Sequence, residues 1–240
     1  MWKLFILCLS CIYVTESRLV SDIITKCKWD DSKCLKETMS SAIPIFAAGI
    51  PEFNLGVMDP LEIKRINATN SNLKLKVKDI VVTNLKQCEA KELKRNKAKE
   101  QLIFKVLCPN VNVEGNYEMD GQLFVLPIKG NGGLHVKLEK ILLNIEVNHE
   151  NFTDKDGVTH WKVKTWKHDF ELPAKSDVKF DNLFPDNELL RKTTNDLIAS
   201  NGNDVITEIG APIIKGIIVK ILKNVERFLA AVPLEDIILD

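Results

Sequence analysis

The sequence carries no surplus of charge of either sign, with 33 Lys and Arg against 33 Asp and Glu. That balance excludes nucleic acid as the main partner, since holding phosphates takes a basic surface. No stretch reaches the ~20 consecutive apolar residues that a helix needs to cross a bilayer. There is no G-x-S-x-G nucleophile elbow and no H-E-x-x-H zinc helix. His135, His149, His160 and His168 follow no zinc-ligand spacing. Gly130-Asn131-Gly132-Gly133 lacks the last glycine of a dinucleotide loop, because position 135 is His. Asp154-Lys155-Asp156-Gly157 lacks the remaining ligands of a calcium loop. A protein without catalysis, cofactor or metal is therefore expected. No Pro/Gly/Ser-rich linker, composition break or repeat divides the chain, so residues 18–240 read as one domain.

What is present is a globular composition, 45% hydrophobic and 28% charged, in a chain long enough to bury about 70% of its unfolded surface. The first 17 residues have the layout of a secretory signal peptide: Lys3, an apolar run from Leu4 to Val14 broken only by Ser10, then Thr15-Glu16-Ser17. Cleavage after Ser17 removes Cys8 and Cys11 and leaves Cys27, Cys34, Cys88 and Cys108. Four cysteines on an exported chain read as two disulfides, with three pairings open. Cys27 and Cys34 are the natural local pair, and a hairpin with its tip near residue 98 would bring Cys88 to Cys108. The sequons at Asn67 and Asn151 fit N-glycosylation of a secreted, extracellular protein.

Three stretches follow. In the first, Leu35, Met39, Ala42, Ile43 and Phe46 recur at helical steps after Ser32, the expected N-cap. Pro44 is expected to bend this helix, and Gly49 with Pro51 to stop it. The second, about 61–184, alternates as strands do. Leu102, Phe104, Val106 and Cys108 share one face, and so do Leu134, Val136 and Leu138. A slip at Lys140 precedes Ile141, Leu143, Ile145 and Val147, which suggests a bulge. Asp156-Gly157 reads as a hairpin turn. The third, from about Asn187 to Leu229, turns helical through Leu190, Leu197, Ile198, Val205, Ile206, Ile209, Ile213, Ile217, Ile221, Val225 and Phe228. Ile214, Ile218 and Leu222 widen the apolar face beyond one stripe, so this helix is buried on several sides, with breaks or kinks at Gly202, Gly210 and Pro212. The fold class is α+β, with a long C-terminal helix enclosed by a curved antiparallel sheet.

Several motifs then coincide with one family. Gly49-Ile50-Pro51 with Asp59-Pro60-Leu61 resembles the "G-I-P … D-P-L" segment of the insect takeout and juvenile-hormone-binding proteins. The Cys27/Cys34 pair before a helix looks like that family's N-terminal disulfide. Tyr117 to Gly121, followed by Pro127-Ile128-Lys129-Gly130-Asn131-Gly132, resembles its strand-turn-strand. Phe180-Asp181-Asn182-Leu183-Phe184 and Val232-Pro233-Leu234 resemble its later elements. The likeness runs from about Cys27 to Leu234. It departs at Pro185-Asp186-Asn187-Glu188 and across residues 199–204, where the long helix is expected to start or bend differently. The resemblance implies a tubular lipid-binding super-roll, a helix wrapped in a highly curved sheet with an apolar tunnel.

The expected function is a secreted, monomeric carrier that reversibly binds a small hydrophobic ligand: a juvenile hormone-like terpenoid, a fatty acid or another lipid. The candidate lining is Phe104, Val106, Phe124, Leu126, Val136, Leu138, Leu143, Ile145, Trp161 and Val163 from the sheet, with Ile209, Ile213 and Ile217 from the helix. Plain core packing is the competing account of each. The rival function is an extracellular module whose basic hairpin tip, Lys91, Lys94, Arg95, Lys97 and Lys99, docks on anionic membrane or glycan surfaces. Glu89, Glu92 and Glu100 weaken that field, and the tip also allows transient membrane contact during delivery.

Overall fold

A computed structural model describes residues 20–239; the expected signal peptide lies outside the described residues. Helix α1, Ser32–Ala48, is capped by Asp31 rather than Ser32: the Asp31 carboxylate accepts from the Cys34 N–H at 3.0 Å. An acidic side chain there both satisfies a free donor and complements the helix dipole. The helix continues through Pro44 and stops at Gly49, whose φ of 83° suits glycine. A β-carbon on Gly49 would also meet Leu55 O and Val57 N at 3.0 Å, so the G-I-P segment depends on that residue twice. Asp59 of the D-P-L segment accepts from the backbone N–H groups of Asn84 and Lys86, both at 3.0 Å.

The strands are β1 (Cys27–Lys28), β2 (Leu61–Asn67), β3 (Leu73–Thr83), β4 (Glu89–Asn96), β5 (Gln101–Leu123), β6 (Leu126–Thr153), β7 (Thr159–Glu171), β8 (Ser176–Phe180) and β9 (Ile238–Leu239). β5 and β6 form the spine of an antiparallel sheet ordered β2-β3-β5-β6-β7. The first half of β5 pairs with β4 and its second half with β3; the first half of β6 pairs with β8 and its second half with β7. The disulfide Cys88–Cys108 ties the approach to β4 to the middle of β5, and Cys27–Cys34 ties β1 to α1.

The slip at Lys140 is not a bulge between these two strands. β5 and β6 stay in one unbroken register from Gln101↔Asn148 to Leu123↔Leu126. Both strands exchange faces at the same level: inward residues are even-numbered up to Cys108 and odd-numbered from Val111, while opposite them Leu138 gives way to Ile141. Asn110, with φ of 50°, sits at the inversion. Asn tolerates this left-handed conformation better than other side-chain-bearing residues. A true register shift lies on the other side of β6, between Asn148 and His149, where β7 carries an extra residue.

The C-terminal helical part of the chain begins with α2 (Glu188–Ser200), whose Leu190 and Leu197 are exposed; Ile198 is its buried anchor. The helix breaks at Asn201 and restarts as α3 (Gly202–Val205), then a π-helical turn (Ile206–Gly210), then α4 (Ala211–Ala231). Helix α4 packs against both β2 and β7, the two ends of the sheet order. A β-carbon on Gly216 would lie 2.7 Å from Ile66 of β2. On the other side, burial and then the Lys215 ammonium push the His168 imidazole of β7 below its ordinary value. A helix that touches the first and last strands of one sheet requires that sheet to curl around it.

The remaining motifs hold this roll shut. Tyr117 donates its hydroxyl to Asp181 O at 2.6 Å and meets Phe180 edge-on at 4.8 Å. Gly130 is needed where this occurs, because a β-carbon there would lie 2.6 Å from the Tyr117 oxygen. Burial pushes the Tyr117 phenol above its ordinary value, with the Asp181 charge adding to the shift. Val232 is fully buried and its carbonyl lies 3.0 Å from His160 Nδ1, while His160 Nε2 lies 3.2 Å from Asp154. Asp154 also accepts from Asp156 N and Val158 N, so its carboxylate organises the turn that carries Gly157.

Candidate apolar cavity and its polar end

Between α1, α4 and the concave face of β5, β6 and β7 lies a cavity of about 420 Å³, within the usual range of small-molecule sites. Thr25, Thr38, His149 and the indoles of Trp29 and Trp161 are the polar-bearing members of its lining; the other side chains are hydrocarbon or sulfur. Its walls follow β6 from Leu134 to His149, about 50 Å of strand contour, and the C-terminal helices from Ile206 to Leu229, about 35 Å.

Phe104 and Val106 of β5, Val136, Leu138, Leu143 and Ile145 of β6, Trp161 and Val163 of β7, and Ile213 and Ile217 of α4 all line it. Three candidates do not. Phe124 and Leu126 are 42% and 43% exposed, because the chain reverses through Phe124-Val125 and the alternation continues past the end of the roll. Ile209 is buried in the core, but the π-helical turn gives the lining position to Gly210.

Other lining residues lie outside the set that the sequence alone points to. Met39, Ile43 and Phe46 of α1 close one side, and their helical stripe was the available signal. Trp29, Leu35, Leu93, Ile237 and Ile238 gather at one end, where β1 and β9 pair in parallel with Cys27 opposite Ile238. That pairing joins the two ends of the chain and leaves no local periodicity to read.

Polar groups are concentrated at this end. His149 and Trp161 are each only 4% exposed, and their rings stand 4.7 Å apart. Trp161 stacks at a tilt on Trp29 at 5.3 Å, and the Arg95 guanidinium lies over Trp29 at 4.5 Å. Arg95 in turn donates to Glu100 at 2.9 Å. Glu100 comes no closer than 3.7 Å to His149 Nε2, beyond hydrogen-bond distance. Among the described residues, Trp161 Nε1 and both ring nitrogens of His149 have no protein hydrogen-bond partner. Burial lowers the His149 pKa below its ordinary 6.5; the Glu100 carboxylate works against this and the Arg95 cation reinforces it. The imidazole is therefore neutral at physiological pH.

The basic cluster on β4 and its tip is largely neutralised. Lys91 pairs with Glu89 at 2.7 Å, Lys94 with Glu92 at 2.6 Å and Arg95 with Glu100, and Arg95 is turned inward onto Trp29. Lys97 and Lys99 extend the cluster in the single turn between β4 and β5.

A solved structure has this arrangement, and curated sequences resemble the chain. The crystal structure of Epiphyas postvittana Takeout 1 superposes with a TM-score of 0.85 at 29% identity, covering 90% of this chain and 100% of that one. The circadian clock-controlled protein daywake of Drosophila melanogaster is 24% identical over 182 residues, 71% of this chain and 70% of its own length. The Drosophila yakuba daywake gives the same identity and coverage. The family model of haemolymph juvenile hormone binding protein matches residues 4–239, and with the curled sheet, the enclosed helix and the apolar cavity already in view, the chain belongs to that family.

Proposed function

We propose that this protein is a secreted carrier whose residues 18–240 act as one monomeric unit, holding a small hydrophobic ligand in the cavity and releasing it unchanged. The observation that carries the reading is the cavity itself: it lies between helix and sheet and is lined almost entirely by carbon. Family membership supports it, since the family is described by hormone binding. Terpenoid hormone, fatty acid and other lipids all fit an apolar site of this kind. Transferring roughly ten methylene groups at about 0.8 kcal/mol each supplies about 8 kcal/mol. Immobilisation reduces that by several kcal/mol, so ten methylene groups alone reach micromolar affinity at best, and tighter binding takes a longer apolar chain or an added hydrogen bond. No charged contact is needed. The exposed Asn67 and Asn151 are the proposed glycan acceptors of the exported chain.

A carboxylate in the wall tests the reading. Leu138→Glu or Ile213→Asp should weaken binding of an apolar fluorescent probe by at least about tenfold, because a charge facing hydrocarbon lacks a partner. Circular dichroism establishes that the variants are folded. Folded variants that bind the probe as the wild type does would remove the cavity as the site. Native mass spectrometry of protein from its own source would identify a retained small molecule directly.

A further inference from the structure

The cavity is apolar along its length but not at the end where Trp29, His149 and Trp161 meet. Buried polar groups almost always have a hydrogen-bond partner, and leaving one without a partner is costly. Here an indole N–H and an imidazole, each more than nine-tenths buried, line the same cavity with adjacent rings and no protein partner among the described residues. His149 continues the inward alternation of β6 after Ile145 and Val147, and the extra residue in β7 brings Val163 and Trp161 onto that same inner face, with Val163 opposite His149. Two polar side chains turned into a hydrocarbon chamber make a site there.

We propose that Trp161 and His149 form the polar anchor of this cavity, and that the ligand is a long apolar chain carrying a neutral, hydrogen-bond-accepting oxygen at one end. The inference deepens the carrier reading and rests on it. Trp161 can only donate, so the ligand must present an acceptor. His149 offers one donor and one acceptor when neutral, so the same oxygen can take a second hydrogen bond from it. The surroundings favour a neutral head over a carboxylate. Arg95 pairs with Glu100 through one terminal nitrogen, its Nε being buried without a partner; Arg95 itself is not part of the lining, and among the described residues no Lys or Arg side chain lines the cavity. An ester or ketone oxygen satisfies these groups without bringing in a charge.

The test compares methyl laurate, dodecane and laurate as competitors of a bound apolar probe, N-phenyl-1-naphthylamine, on the secreted chain. Trp161→Phe and His149→Phe keep an aromatic ring and remove the polar atoms. Each should weaken methyl laurate by about tenfold relative to dodecane, which has no polar atom to lose a partner. Equal weakening of both competitors, or of neither, would overturn the anchor, as would laurate binding more tightly than its ester to the wild type at pH 8. Should a variant fail to fold, the wild-type indole N–H of Trp161 supplies the same answer by NMR. Its proton should shift with methyl laurate and not with dodecane; an identical response to the two overturns the proposal. Failure of the probe to bind at all would refute the carrier reading, and the anchor with it. Probe displacement with no distinction between ester and alkane would refute the anchor alone.

Discussion

Replacing Phe228 with alanine is expected to lower the stability of the fold by about 3–5 kcal/mol. The side chain is 1% exposed and meets two rings edge-on, Phe46 of α1 at 5.0 Å and Phe53 of the turn after it at 5.2 Å. It is one of the contacts through which α4 holds the N-terminal elements, in a cluster with Val20, Ile23, Ile50, Leu55 and Val232. Its loss removes transfer free energy and both edge-to-face contacts, and α1 cannot move in without disturbing its own packing on β4. Urea unfolding should show a lower midpoint with an unchanged slope, the mark of lost stability in an intact fold. Phe228→Leu should recover most of the loss. A cost below about 1 kcal/mol for the alanine variant would mean that α1 and α4 are held together elsewhere.

Gly202→Ala is expected to be comparably severe, about 3 kcal/mol or more, for a different reason. A β-carbon at residue 202 would stand 1.9 Å from the backbone carbonyl oxygen of Ser176. Ser176 is completely buried and pairs with Leu138 in the ladder between β8 and β6. Relief therefore requires moving either a sheet strand or the start of α3. Gly157→Ala is the control. Gly157 has φ of 83° in an open turn with nothing within 4 Å of the added carbon, so only the left-handed backbone is penalised, at about 1–2 kcal/mol. Thermal denaturation of the two variants separates steric exclusion from conformational preference. Equal losses would show that the approach of α3 to β8 is not the constraint.

Much of this architecture is legible from residue order because its two periodicities are clean. The stripe from Leu35 to Phe46 and the alternation from Leu102 to Cys108 each report one buried face, and both cysteine pairs lie across short local connections. What escapes is set by events without a period. Alternation runs on through Phe124 and Leu126 although the chain has already turned, since local pattern does not record where a sheet ends. The π-helical turn moves Ile209 off the lining face, a rotation invisible to a count made at 3.6 residues per turn. Asp31 displaces Ser32 as the cap because either residue satisfies the same rule. The meeting of His149 and Trp161 depends on one extra residue in β7, and the pairing of β1 with β9 on the whole chain being folded between them.

The unbroken step between β5 and β6 constrains how this chain can change over evolutionary time. The two strands reverse their faces together, so deleting one residue from β5 between Val111 and Leu123 would leave the hairpin end matched and everything beyond it out of phase. Lys105 would then be carried toward the chamber and Phe104 and Val106 toward water. Point substitutions in this wall can be graded and tolerated, but a single-codon gap cannot. Length variation among relatives should therefore collect in connections such as residues 154–158, and these two strands should keep a fixed count even where almost every residue in them has been replaced.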